Sequence, residues 1–283
     1  MLMRIGFHMS IYGSLDKAID RALEIGCNTL QIFTRNPRGW AARPLRRSEV
    51  ELFTVKVNRN DIRPVFAHMP YLPNLASPRS DVHMKSVETL ITEMKRCEIL
   101  EIPYLVTHLG SHLGLGSKIG LENVVKAIDK AFSVAGEKVV LLLENTAGTR
   151  NSVGGSFKDL QYILERTLCP DKVGICLDTC HAFAAGYDLR TEEAIEKTIE
   201  TIDESVGFNR LKLVHLNDSQ GDLNSRIDRH EHIGLGKIGE KGFRNILKSR
   251  FASLPLILET PVDGRRSDIE NLVKVKELAG IKS

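Results

Sequence analysis

A chain of 283 residues that is 42% hydrophobic and 27% charged is an ordinary globular protein, long enough to bury a large core. Its net charge of +3 permits an anionic partner such as nucleic acid without requiring one. No apolar run approaches membrane-spanning length, no charged-then-apolar leader opens the chain, and the five cysteines form no CxxC pair, so reduced thiols in a cytoplasmic protein without membrane contact are expected.

Short runs rich in branched residues alternate with longer amphipathic segments eight times along the chain. The first strand is predicted over Arg4–His8. Ser14 then caps a helix whose apolar residues Leu15, Ala18, Ile19, Ala22 and Leu23 stop at Gly26. The second strand is Thr29–Phe33, and after a long loop Ser48 and Glu51 have capping-box spacing for the next helix. Strands three and four, Pro64–His68 and Tyr104–His108, flank a helix with Met84, Val87, Ile91 and Met94 on one stripe. A helix bearing Leu121, Val124, Val125, Ile128 and Phe132 leads into strand five, Val139–Glu144. Strands six and seven, Val173–Asp178 and Leu211–His215, flank a helix with Ile195, Ile199, Ile202 and Val206. Strand eight is Leu256–Glu259, and Ser267 with Glu270 caps the last helix. Alternation of this kind implies parallel strands joined by right-handed crossovers. Eight units in this length fit an α/β fold of the (β/α)8 TIM-barrel type better than an open sheet. No linker or composition shift divides residues 1–283, so a single domain is expected.

The residues closing the strands carry the chemistry: His8, Arg35 just past strand two, His68, His108, Glu144, Asp178, His215 and Glu259. In a barrel these positions ring the C-terminal mouth, where active sites of this fold are built. The adjoining loops add His181, three residues after Asp178, and the pair Asp228 and His230, which share a face of an extended segment. Buried, hydrogen-bonded core histidines explain one or two such residues but not the set. Nine candidate ligands, five imidazoles and four carboxylates, are too many for one metal and suit two or three with a bridging carboxylate. A His and carboxylate mix without thiolate favours zinc, with manganese or iron as substitutes, and clustered metals mainly serve phosphoester hydrolysis. Cys180, between Asp178 and His181, reads as a bystander; His8, His112 and His232 read as neighbours of the site. Arg35, Arg38, Arg43, Arg46 and Arg47 surround Trp40 as a basic patch suited to phosphates.

These residues fall in segments similar to a known family. HMPYLPNLASP (68–78), THLGSHLG (107–114), LLLENTAG (141–148), CLDTCHAFAAGYD (176–188), HLNDSQG (215–221) and DRHEHIGLGKIG (228–239) span nearly the whole chain in order. The chain resembles the endonuclease IV family of apurinic/apyrimidinic endonucleases. The resemblance implies three zinc ions per chain in the barrel mouth. It also implies hydrolysis of duplex DNA on the 5′ side of abasic sites, leaving a 3′-hydroxyl and a 5′-deoxyribose phosphate. One zinc would take His68, His108 and Glu144; a second would share Glu144 and take Asp178, His215 and Glu259; the third would take His181, Asp228 and His230. Glu144 and Glu259 would be catalytic, the first as a bridge and the second also orienting the attacking water. Tyr71 and Leu72 match residues that wedge into the duplex, and Arg38 matches a residue inserted from the loop after strand two. An abasic nucleotide has no base to unpair, which lowers the cost of extruding it.

The chain departs from the family pattern at Thr149–Gly155, where Gln-Gly would often stand; Arg150 offers an ionic contact there instead. Two rivals belong to other classes. A metal-dependent sugar isomerase or epimerase uses the same barrel but needs only one or two metals, and a DNA-binding module without turnover needs no intact hydrolytic site. With no symmetric apolar patch legible, a monomer is expected.

Overall fold

The computed structural model describes residues 3–281. Eight parallel strands close a barrel: β1 (Ile5–Met9), β2 (Leu30–Phe33), β3 (Val65–His68), β4 (Tyr104–Thr107), β5 (Val140–Glu144), β6 (Val173–Asp178), β7 (Leu211–His215) and β8 (Leu256–Leu258). Neighbours follow chain order, and β8 closes against β1 through Ile5–Leu256 and Phe7–Leu258. Each boundary lies within two residues of the reading from sequence. His108 and Glu259 stand just past their strands rather than at their last residues.

The pleat explains how this barrel builds its mouth. Phe66, Val106, Leu142, Cys176, Leu213 and Ile257 point inward from six strands and fill the barrel interior as one apolar layer. Two residues further along each strand, on the same face, stand His68, His108, Glu144, Asp178, His215 and Glu259. The dry layer thus forms the floor on which the polar ring sits.

The opposite strand faces pack on an outer shell of helices. These are α1 (Leu15–Ile25), α2 (Arg47–Arg59), α3 (Ser80–Ile99), α4 (Ser117–Ala135), α5 (Phe157–Leu164), α7 (Glu192–Val206), α8 (Gly239–Ile246) and α9 (Asp268–Leu278), while the short α6 (Thr179–Ala184) sits at the end of β6 against the loop after β7. Ile195, Ile199, Ile202 and Val206 form the buried stripe of α7, and Ser267 and Glu270 make a reciprocal capping box on α9. Gly26 closes α1 in the left-handed region at φ 91°, which costs a residue without a Cβ little. Three details differ from expectation. Leu23 is exposed, as is Met84, because α3 turns Val87, Leu90, Met94 and Cys97 inward instead. Helix α2 starts at Arg47 with Arg46 as its uncapped N-terminal neighbour, so Ser48 and Glu51 lie inside it; Glu51 pairs with Arg47 at 2.7 Å. No described helix is long and apolar enough to cross a membrane. Four cysteines are buried and Cys169 is half-buried, all of them free.

Candidate metal centre

Three groups of donors converge on the mouth, each with its ligand atoms within 4.8 Å of one another: His68, His108 and Glu144; Glu144, Asp178, His215 and Glu259; and Asp178, His181 and His230. Glu144 belongs to two groups, as does Asp178. Asp228 lies beside the third, its Oδ1 at 3.0 Å from His181 Nε2 and 3.9 Å from His230 Nε2. All nine donors read from the sequence therefore stand together.

Local structure aims each one. Asp178 ends β6 and caps α6, accepting the His181 N–H at 2.8 Å, so the helical spacing of three puts His181 on the same face. Carbonyl oxygens can only accept, so the rings they touch must carry hydrogen on Nδ1. His68 donates from Nδ1 to Met69 O at 2.7 Å, His181 to Asn145 O at 3.0 Å, and His230 to Glu259 O at 3.1 Å. The Nε2 of each is thereby left facing the cluster. Among the described residues, His230 Nε2 is buried without a hydrogen-bond partner, 3.6 Å from Asp178 Oδ2. An orphaned imidazole nitrogen facing buried carboxylates is the donor set a divalent cation satisfies.

The loop after β7 delivers Asp228 and His230, and Asp218 organises it. This buried carboxylate accepts from the backbone N–H groups of Ser219, Gly234, Gly236, Ile238 and Gly239 at 2.8–3.3 Å. A two-residue antiparallel ribbon, Asp218–Ser219 with His230–Glu231, completes the fold-back. Asn217 adds a link between ligands: its Nδ2 donates to Asp178 Oδ2 at 2.7 Å and its Oδ1 accepts from Glu259 N at 2.8 Å.

Burial opposes charge at His181, His215, Glu144 and Glu259, but the attraction between facing imidazoles and carboxylates outweighs it there. His181 is held well above the ordinary histidine range by Asp178, Asp228 and Glu144, and His215 likewise by Cys176, Glu259 and Glu144. Glu144 and Glu259 sit well below the ordinary carboxylate range because of the facing histidines, despite their burial. Burial pushes His8 down, although its Nδ1 is 3.0 Å from Glu259 Oε1. His8 thus touches the cluster. His232 instead binds Asp263 at 3.0 Å and Asn271 at 3.0 Å, and His112 accepts from Gly114 and Gly116 within its own loop.

Above the cluster opens a cavity of about 650 Å³, lined in part by Arg38, Tyr71 and Val262. Tyr71 is 68% exposed and Leu72 41% exposed on the loop after β3, so these two side chains are not packed into the rim. The Tyr71 ring leans edge-on against Phe33 at 5.1 Å between centroids, and its N–H donates to Pro37 O at 3.2 Å. Arg38 is exposed beside them. The wider basic patch survives only in part: Arg38, Arg43, Arg46 and Arg47 are exposed, whereas Arg35 is not. Arg35 is 5% exposed and ion-paired with Glu93 at 2.7 Å, Arg43 binds Glu49 at 2.7 Å, and Arg47 binds Glu51. These charges are neutralised by neighbouring carboxylates, and Arg35 has left the mouth for the interior between β2 and α3. The Thr149–Gly155 loop is tied to the loop after β4 through His112 N to Asn151 O at 2.9 Å, with Arg150 exposed at its tip. Cys180 is buried away from the donors, its Sγ on Arg229 O at 3.5 Å.

The family model described as xylose isomerase-like TIM barrel matches residues 19–279. A protein from Methanoculleus marisnigri named probable endonuclease 4 is 55% identical over 99% of this chain and 100% of its own. The chain belongs to the endonuclease IV family. The crystal structure of endonuclease IV from Thermus thermophilus superposes with a TM-score of 0.87 at 37% identity, over 98% of this chain and 99% of that one. A D-tagatose 3-epimerase-like protein also superposes, with a TM-score of 0.75 over 99% and 98% of the two chains, but at 19% identity it shares the fold alone. Endonuclease IV relatives at this identity, over the full length, favour the nuclease reading over the epimerase one.

Residues that escaped the sequence reading are Gln31 and Asn145. Gln31 is buried on β2 and touches His8, His215 and Glu259; Asn145 accepts the Asp178 N–H at 2.7 Å. Asn145 lay within a matched segment, whereas nothing in the sequence marked Gln31.

Proposed function

We propose that the protein is a metal-dependent DNA-repair endonuclease that hydrolyses the phosphodiester 5′ to abasic sites in duplex DNA. The observation that carries this reading is the convergence of nine His, Asp and Glu donors on the mouth of a barrel whose full-length relatives are endonuclease IV proteins. His68, His108 and Glu144 would hold one Zn2+; Glu144, Asp178, His215 and Glu259 a second; His181, Asp228 and His230, with Asp178 adjoining, a third. Mn2+ or Fe2+ would serve as substitutes. Bound divalent cations supply a lowered water pKa and neutralise charge on the phosphodiester oxygens.

The chain's own residues do the rest. Glu259, with Oε1 held by His8 and Gln31, turns Oε2 inward and orients the attacking water. Water oxygen bonds to phosphorus, the bond to the 3′-oxygen breaks, and the water proton ends on that oxygen, leaving a 3′-hydroxyl and a 5′-deoxyribose phosphate. Glu144, shared by two groups, sets their spacing. Exposed Tyr71 and Leu72 fill the gap left by a missing base, and Arg38 contacts phosphate beside them. The protein acts as a cytoplasmic monomer in this reading.

A duplex with one synthetic abasic site, incubated with purified protein and run on a denaturing gel, tests it. Nicking 5′ to the lesion, absent from undamaged duplex, lost on chelation and restored by zinc, is expected. Intact strands in every lane with metal present would overturn it.

A further inference from the structure

Three of the cluster imidazoles have their outward nitrogen held by a main-chain carbonyl, which no substitution removes. His215 is held differently. Its Nε2 lies 2.9 Å from Oε1 of Gln31, while Nε2 of the same amide lies 2.8 Å from Glu259 Oε1. Both Gln31 and His215 are fully buried, so water does not stand in for either contact. The donor and acceptor roles then allow one assignment. An ionised carboxylate accepts only, so the NH2 group of Gln31 faces Glu259. Its oxygen therefore faces His215, and because that oxygen also accepts only, His215 carries hydrogen on Nε2. Nδ1 is left as the nitrogen turned to Glu144 Oε1 at 3.2 Å and Glu259 Oε2 at 3.5 Å.

We infer that Gln31 is a positioning residue for the metal centre, one amide setting both the ring tautomer of His215 and the carboxylate orientation of Glu259. The inference rests on the metal-centre reading above. Both residues belong to the four-donor group with Glu144 and Asp178. With Nε2 occupied, the His215 ring offers Nδ1 and nothing else to a cation. With Oε1 shared between Gln31 and His8, Glu259 offers Oε2. The group is thus arranged before a cation arrives, and ordering entropy is not spent at binding. Two substitutions separate the two arms. Gln31→Met keeps the length and removes the contacts to His215 and Glu259, together with the 2.9 Å contact of the amide to His8 Nδ1. Gln31→Glu keeps an acceptor for His215 but sets a carboxylate oxygen against that of Glu259.

The test compares the full-length wild type with both variants. Zinc affinity is read by competition with a chromophoric chelator, and the histidine rings of the zinc-loaded proteins by long-range 1H–15N correlation. In the wild type, His215 is expected to keep its Nε2–H while Nδ1 shows the metal-induced shift. Gln31→Met is expected to bind one zinc about 10–100-fold more weakly than the wild type. Gln31→Glu is expected to retain the His215 Nε2–H resonance and still lose zinc affinity. A wild-type ring protonated on Nδ1, or a folded Gln31→Met protein with unchanged zinc affinity, would overturn the role of Gln31. The wild-type spectrum decides alone if Gln31→Met does not fold. A wild type that takes up no zinc at all would overturn the metal-centre reading itself.

Discussion

Asp218 and Gly236 touch inside the loop after β7: Oδ2 accepts the Gly236 N–H at 2.9 Å, and a Cβ on residue 236 would come within 2.5 Å of Oδ1. The carboxylate binds five backbone groups because the chain can close tightly around it. Gly236→Ala is expected to open this wrap, with a stability loss on the order of 2–3 kcal/mol from buried donors left unsatisfied. Urea unfolding measures that loss. Metal analysis should show zinc missing from the group served by Asp228 and His230, and a variant with wild-type stability and zinc content would refute the role given to Asp218.

Shared membership sets Glu144, like Asp178, apart from the donors that belong to one group. His68→Ala removes a donor from one group, whereas Glu144→Gln weakens two. Metal counted per chain by inductively coupled plasma spectrometry should fall further in Glu144→Gln than in His68→Ala. Incision of abasic duplex should fall by more than about a hundredfold in both. Equal metal loss in the two variants would contradict the bridge.

Proton linkage gives a pH prediction. His181 and His215 have raised values, so in the unloaded protein their contribution to stability is complete below their unfolded value near 6.5 and disappears as pH rises through the folded values. Glu144 and Glu259 have lowered values, so theirs is present above about 4.5 and is lost as pH falls. A cation must displace the imidazole protons. Titration calorimetry with zinc near pH 6.5 should therefore show proton release, as an apparent enthalpy that changes with the buffer's ionisation enthalpy. The zinc-induced gain in melting temperature should grow between about pH 5.5 and 7.5. A buffer-independent enthalpy would contradict the linkage.

On the rim, the proposed DNA contacts divide by kind. Arg38→Ala should reduce the slope of log binding affinity against log salt by about one, while affinity falls alike for damaged and undamaged duplex. The Tyr71→Ala and Leu72→Ala pair should instead weaken binding to the abasic duplex selectively, by about 10–100-fold, consistent with about 1–3 kcal/mol per lost stacking contact. Fluorescence anisotropy with both duplexes across a salt series separates the two, and a Tyr71→Ala protein that still prefers the lesion would count against the wedge.

Much of the site was legible because strand periodicity does two jobs at once. The residue two before each of the six strand-end donors is apolar and inward, as with Leu142 before Glu144 and Leu213 before His215, so an apolar run ending in His, Asp or Glu announces both strand and mouth. Longer-range partners were not legible. Arg35 follows β2 and reads as a rim cation, yet Glu93, far along on α3, draws it beneath the loop. Ser48 and Glu51 had cap spacing, but their helix starts at Arg47, so the spacing falls inside its first turns. Gln31 gave no signal, because a single amide in a strand has no chemistry until His215 and Glu259 are placed on either side of it.

The bond from Tyr71 N–H to the Pro37 carbonyl joins two rim loops from neighbouring strands through main-chain atoms only. The ring of Pro37 fixes its φ and so stiffens the chain leading to the carbonyl that Tyr71 engages. Arg38, Tyr71 and Leu72 are carried on two loops joined by a backbone bond, with the Tyr71 ring against Phe33 as a second tie. Exchange of these three side chains is therefore expected to leave that backbone bond, and the donor cluster beneath it, in place.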